Sequence, residues 1–187
     1  ILHPKQSYRF RVILNNFGNG NNLREMTQNV MKCGRPQFKQ DEIALHAYNS
    51  IAYIGGKADW ETITLTVRDD ITSAVASSVG SQLQKQFNHF EQTSAVAGIN
   101  YKFTMEIHVL DGTDNDALEQ WNLEGCWLTG VTYGEHTYET SDPMEVEMTI
   151  RFDNATQIAG PNTNEGTVVG GDPFENANSP TGGTTFG

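Results

Sequence analysis

The chain has almost no cysteine, little proline, no long hydrophobic run and, in its second half, almost no positive charge. Each shortage excludes something. Cys33 and Cys126 lie far apart and in no metal-ligand or redox spacing. Two cysteines make no disulfide framework, so reduced, buried thiols are expected. No apolar run approaches the roughly 20 residues that a helix needs to cross a bilayer. No secretory signal pattern is legible. Residues 1–100 hold 10 Lys/Arg and 8 Asp/Glu, a net of +2, whereas residues 101–187 hold 2 and 15, a net of −13; the two give the overall −11. Phosphate contacts need Lys and Arg, so the acidic half argues against a direct grip on nucleic acid. It fits a surface that repels phosphates, and it equally fits plain solubility.

Catalytic signatures are missing as well. His3, His46, His89, His108 and His136 stand in no H-E-x-x-H or comparable ligand spacing. There is no G-x-S-x-G, and neither cysteine has an activating neighbour in sequence. Gly18-Asn-Gly20 lacks the third glycine and the following helix of a phosphate loop. The acidic run Asp111–Asp116 lacks the residue order and closing Glu of a calcium loop and reads as a turn. Glu106 and His108 share a strand face and Glu135 adjoins His136, but solvated neighbours account for both pairs. No catalytic, cofactor-binding or metal-binding residue is assigned, and no cofactor is expected.

What is present is alternation. In Trp60–Arg68, Ile63, Leu65 and Val67 fall on one face and Thr62, Thr64 and Thr66 on the other, a half-buried strand. After Asp69-Asp70 the period changes. Val75, Val79, Leu83, Phe87 and Phe90 make one helical stripe, with Ser77, Ser78, Gln82, Gln84 and Lys85 on a polar far side. This predicts the one principal helix, over about 72–91, with Thr72 or Ser73 as N-cap. Tyr8, Phe10, Val12 and Leu14 predict a first strand, Asn15–Asn22 a hairpin turn, and Leu23–Cys33 a return strand. Tyr101–Val109 and Met144–Phe152 alternate cleanly, and Leu118–Trp127 places Trp121, Leu123 and Trp127 on one face.

Two stretches point to assembly. Across Asp41–Ile54, Ile43, Leu45, Ile51 and Tyr53 make an apolar surface, either a second hairpin or one long bent strand. It must be covered, by folding as a flap over its own core or as an arm on another subunit. From Asp153, 21 of 35 residues are Gly, Asn, Thr or Pro, which cannot build a core and predicts disorder. Such a tail becomes ordered only where neighbours hold it. The expected organisation is a β-rich domain over residues 1–152 and a C-terminal extension over 153–187.

Three passages carry a resemblance: Gly55-Gly56 with Asp59–Asp70 running from strand into helix, Leu118–Val131 with its glycine and aromatic residues, and the closing Glu145–Phe152 strand. In this order the chain resembles the tail tube protein of contractile-tailed bacteriophages, within the superfamily that includes type VI secretion tubes. The resemblance implies a mainly antiparallel β-barrel or sandwich with one flanking helix, its strands shared in a ring-wide barrel. It implies a non-enzymatic virion protein, built in the bacterial host cytoplasm, whose hexameric rings stack into a tube. Sheath protein would lie outside, baseplate and terminator proteins at the ends, and DNA would pass through the lumen without specific binding. With strands about 4.8 Å apart and tilted about 40°, a wall of four strands per subunit would be roughly 50 Å across. An acidic lumen would keep phosphates off the wall, with Glu145 and Glu147 as first candidates to line it and Glu106 and Glu124 as further ones. The alternative reading is a baseplate, adhesin or carbohydrate-binding β-sandwich module, with Trp127 and Tyr138 as sugar-stacking aromatics.

Overall fold

The computed structural model describes residues 4–20, 23–112, 117–139 and 141–159. In chain order the elements are β1 (Phe10–Asn15), α1 (Leu23–Gln28), β2 (Val30–Cys33), β3 (Phe38–Ala47), β4 (Ser50–Trp60), β5 (Ile63–Arg68), α2 (Ala74–Gln86), β6 (Phe87–Asn88), β7 (Thr93–Ser94), β8 (Phe103–Leu110), β9 (Ala117–Thr132), β10 (Glu145–Arg151) and β11 (Asn154–Ala159). The main sheet runs β1-β8-β9-β10-β5-β2, with β11 also on β9, and every pairing is antiparallel. The fold is therefore mainly antiparallel β with one principal helix, as the alternation predicts. Strand β9 is long enough to serve two halves. Its first part lies between β8 and β11, and its second part pairs with β10. Both halves turn their apolar faces to one core, which includes Val12, Leu14, Ile63, Leu65, Val67, Phe103, Met105, Leu123, Val146, Met148 and Ile150. Among the described residues no ladder joins β1 to β2, so the sheet stays open there.

A bulge in β9 decides what faces the core. Gly125 has φ +67°, and a Cβ there would run into the Asp153 carboxylate, which pairs with Lys102. The extra residue reverses the phase of the strand: Leu123 is buried, and then Cys126 and Leu128. Trp127 is turned to the other side, which corrects the expectation that it shares a face with Trp121 and Leu123. The side chain of Gln86 meets the strand just beyond, donating to the Leu128 carbonyl and accepting from its N–H, both at 2.9 Å. A side-chain amide thus stands in for a missing strand partner.

Helix α2 is shorter than predicted. Val75 and Val79 are fully buried and Leu83 packs on the core, but Phe87 leaves the helix in an extended conformation and Phe90 is 93% exposed. Ser73 is the N-cap residue without a side-chain cap bond. The turn before it is held by Asp70, whose Oδ1 accepts from the Thr72 hydroxyl at 2.5 Å and the Thr72 N–H at 2.9 Å. The Thr72 hydroxyl is the main cause that keeps the Asp70 carboxyl below its ordinary value. The polar far side is corrected too: Ser78 and Gln82 are buried. Gln82 accepts from the Gly18 N–H at 2.9 Å and donates to the Tyr101 carbonyl at 2.6 Å. Gly18 has φ +54°, and a Cβ there would lie 2.7 Å from the Ser78 carbonyl, so only glycine fits this close approach.

The predicted hairpin of residues 8–33 does not form. Chain after the Gly18 turn makes α1, with Met26 fully buried, and β1 pairs with β8 instead. The weak alternation of Leu23–Cys33 gave way because Met26 reaches the core from a helical turn. Residues 113–116 of the predicted acidic turn lie outside the described residues. At the other end, β11 pairs with β9 and buries Ala155 and Ile158, so the sheet runs past the expected boundary at 152.

One carboxylate ties distant segments together. Glu119 on β9 is 5% exposed. It accepts from Lys5 at 2.7 Å, from Arg35 at 3.0 Å, from the Trp121 indole at 2.7 Å and from Gln157 at 3.1 Å. Burial pushes its carboxyl up, but the Lys5 and Trp121 hydrogen bonds and the Arg35 charge outweigh that and hold it below the ordinary value. The N-terminal segment, the β2–β3 connection and β11 all meet there.

Two outcomes follow from these buried polar groups. Replacing Gln82 by Leu keeps the volume and strands the Gly18 N–H and Tyr101 carbonyl, so a loss of about 2–4 kcal/mol is expected in denaturant unfolding; a loss under about 0.5 kcal/mol contradicts the assignment. Glu119 has a depressed value in the folded chain, so its contribution is present above the unfolded value of about 4.3 and disappears as pH falls through the folded value. Because Lys5 and Arg35 are largely exposed, Glu119→Gln is expected to cost about 1–2 kcal/mol at pH 7 and to flatten the loss of stability below about pH 5. An unchanged pH profile contradicts it.

Candidate assembly surface

Strands β3 and β4 form a hairpin that leaves the body of the molecule, resolving Asp41–Ile54 as a hairpin with its turn at Tyr48-Asn49. Its root is anchored. Phe38 and Trp60 pack edge to face at 5.1 Å, Trp60 lies 5.8 Å from Phe152, and Arg151 pairs with Asp59 at 2.6 Å. Above the root the register slips between Gln40 and Glu42, where Gly56 lies against Asp41 and Gly55 opposite Glu42. Beyond the slip, β3 is exposed along its whole length, and β4 is exposed apart from Gly56 and Trp60. Ile43, Leu45, Ile51 and Tyr53 are 47%, 49%, 51% and 62% exposed. The flap over the protein's own core is therefore not what forms.

The register divides these four residues. Ile43 lies opposite Ile54 and Leu45 opposite Ala52, whereas Tyr53 lies opposite Ala44 and Ile51 opposite His46. Directly opposed residues share a face. Ile43 and Leu45 thus belong to one face and Ile51 and Tyr53 to the other. The expected single apolar face is corrected to an arm that is apolar on both. A lone two-stranded ribbon is at best marginally stable in water, and this one offers apolar side chains to two sides at once.

The acidic candidates also fall into two groups. Glu145 and Glu147 lie on the outward face of β10, opposite Arg68 and Thr66 of β5. They line a groove with Lys32, Arg35, Thr62 and Thr64. Arg151 shares their strand face, so cations accompany these acids. Glu106 and Glu124 lie on the other half of the sheet, and Glu106 bonds to His108 at 3.1 Å and accepts from Asn15 at 3.1 Å. The four glutamates do not come together on one surface of the subunit.

Nothing else converges as chemistry. Burial pushes both cysteine thiols up to about 12, which leaves them poor nucleophiles. Among the described residues no group of three His, Cys, Asp or Glu side chains is placed to hold a metal ion. Trp127 is half-buried on β9, Tyr138 is fully exposed in the following loop, and Glu135 and His136 are exposed beside it. Sequence reasoning missed Glu119, Gln82 and Gln86. Glu119 had a readable signal, since it shares the parity of Trp121 and Leu123 on a strand face that enters the core.

No protein-family model matches the chain, and no curated protein sequence does. Solved structures match closely in shape at low identity. A chain in the anti-feeding prophage cap, described as the tube-terminating cap, has a TM-score of 0.63 at 14% identity, over 86% of this chain and 94% of that one. A chain in the PVC extracellular contractile injection system, solved as a sheath–tube complex in the extended state, has a TM-score of 0.62 at 16% identity, over 86% and 95%. The SPP1 tail tube protein has a TM-score of 0.56 at 10% identity, over 98% and 91%. The mainly antiparallel β fold with few helices described above is thus the fold shared with tube proteins of phage tails and contractile injection systems.

Proposed function

We propose that the chain is a structural, non-enzymatic subunit of the inner tube of a phage tail or related contractile injection machine. Six copies form a ring, rings stack, and the resulting lumen conducts DNA into the host. Sheath surrounds the tube, and baseplate and terminator proteins close its ends; the location is the virion, assembled in the host cytoplasm. The observation that carries this reading is the β3–β4 arm. It is anchored at its root, exposed beyond it and apolar on both faces. Burying the exposed half of each large aliphatic side chain is worth about 1 kcal/mol. Several per arm, repeated around a ring, supply a substantial drive for association. The fold likeness supports the same reading, since it covers 86% of the chain against proteins solved within tubes and their caps.

The likeness to a chain in a tube-terminating cap favours a second reading, a ring at the end of a tube. Negative-stain microscopy and sedimentation of the purified full chain separate these. Stacked rings or filaments support the tube, isolated rings support the cap, and a strict monomer at high concentration contradicts both. A monomer or trimer with sugar affinity would instead support a binding module.

For the lumen wall we assign the outward face of β9-β10-β5-β2, which carries Glu145 and Glu147. Arg68, Lys32 and Arg151 lie on or beside that face and outnumber the two glutamates, so repulsion of phosphates is confined to the surroundings of Glu145 and Glu147 on β10. Two outcomes test the assembly and the wall. Leu45→Asp is expected to abolish rings while circular dichroism still reports a folded monomer; tubes of ordinary length made from this variant contradict the arm's role. Glu145→Lys with Glu147→Lys is expected to slow DNA ejection at low salt, with recovery as salt rises. An unchanged rate at every ionic strength, or a map with both side chains on the outer surface, contradicts the lumen assignment.

A further inference from the structure

The half of the main sheet that carries Glu145 and Glu147 runs β9-β10-β5-β2, and both of its edges are open. One edge is β2, which among the described residues pairs only with β5. Beside it lies a groove of about 430 Å3, lined by Met31 of β2 and by Phe10, Ile107 and Val109 of β1 and β8. The other edge is the far end of β9. Strand β8 covers that side of β9 as far as Cys126 and stops, while β10 and β11 follow one another along the opposite side. Gln86 bonds both the N–H and the carbonyl of Leu128, which point away from β10, and so occupies the edge at that residue. Beyond it Thr129, Gly130 and Thr132 are exposed, and a Cβ added at Gly130 would meet open space.

The two edges match. Each is four residues long: β2 itself, and residues 129–132 of β9. The half-sheet has four strands and every neighbouring pair is antiparallel, so β9 and β2 run in opposite directions. The β9 of a second copy in the same orientation is therefore antiparallel to β2, and the alternation continues across the joint. A contact between two different edges repeats head to tail and closes into a ring by rotation. Laid over their full length, the edges put Met31 opposite Val131 and Lys32 opposite Gly130. Val131 packs against the core and Met31 lines the groove, so apolar side chains meet on the inner side. Lys32 then stands beside a residue without a side chain. The other half-sheet is less open at its edges: α1 lies against β1, and Ile158 on β11 is buried.

We propose that β2 of one copy adds to residues 129–132 of β9 in a second copy, with Gln86 as the stop that sets the register of this joint. The joint presupposes the tube subunit described above and names the strands through which its copies meet. Backbone hydrogen bonds hold it, and two exposed edges disappear. Because Gln86 already holds the backbone groups of Leu128, the entering strand cannot advance towards Cys126. A slip of one residue would turn Lys32 to the inner side, so the register decides whether the copies fit.

Lys32→Cys with Gly130→Cys tests the joint in rings of the full chain. Within one copy these positions are three strand spacings apart, about 14 Å, too far for a disulfide. Across the joint they are directly opposed, within disulfide reach. Under a copper oxidant the rings are expected to give covalent ladders up to the closed ring, about tenfold faster than rings of Lys32→Cys with Thr132→Cys. Adding Gln86→Ala is expected to cut that preference about threefold as the register loosens; an unchanged preference overturns the role of Gln86. Hydrogen exchange asks the same of the unsubstituted chain: residues 30–33 and 129–132 are expected to exchange about tenfold more slowly in rings than in the monomer. Rings in which these segments gain no protection overturn the joint and leave the tube reading standing. A chain that forms no rings overturns both.

Discussion

The fold depends on phase shifts in β9, the first at Gly125 and a second between Leu128 and Gly130. At Gly125 one extra residue bends the strand and moves Cys126 and Leu128, in place of Trp127, into the core. One strand can then belong to both halves of the sheet and close them over the same apolar residues. The irregular stretch around it leaves backbone groups that a regular ladder would have paired. Gln86 satisfies the N–H and carbonyl of Leu128, the Asp153 N–H reaches the Glu124 carbonyl at 3.0 Å, and Asp153 with Lys102 occupies the space that a side chain at 125 would take. The helix is therefore fixed to the sheet by hydrogen bonds to irregular backbone as well as by Val75 and Val79. This explains why polar side chains lie on its buried side.

A second constraint is placed at the opposite end of β9. Glu119 enters the core side of the strand and stays charged because Lys5, Arg35, Trp121 and Gln157 all donate to it. Breaking such a cluster from one side leaves a buried charge without partners, which is why it couples segments that share no other ladder. Arg35 lies just before β3, so the same cluster steadies the connection from which the arm departs. At the arm's other side Trp60, Phe38 and Phe152 do the same through packing. The arm is free along its blade and rigid at its base.

The parts legible in sequence were those with an unbroken period. Residues in β1, β5, β8 and β10 alternate without interruption, and each turned the expected side chains inward. Where a single residue shifts the phase, alternation misleads: Trp127 follows a perfect count from Leu123, and the count fails at Gly125. Helix α1 is a short turn-flanked segment whose only described fully buried side chain is Met26, too little for a periodic signal. Strand β11 was hidden because its Asn, Thr and Gln residues match the composition of the tail, and only its pairing with β9 distinguishes it. For the candidate surface, the apolar residues of the arm were readable, but their distribution was not. Which face each one takes depends on the register across the hairpin, a relation between two strands that neither strand carries alone.

That distribution turns an exposed hairpin into a statement about assembly. An arm with one apolar face needs one neighbour, and an arm with two needs a slot between neighbours, or a neighbour on one side and the adjoining ring on the other. The most direct measurement is thiol labelling of Leu45→Cys and Tyr53→Cys, one on each face of the arm, in monomer and in the assembled particle. The native thiols are held near 12 and stay silent at neutral pH. The account predicts that both introduced thiols label readily in the monomer and that both are protected in the assembly. Assembled particles in which both positions label as fast as in the monomer would contradict it.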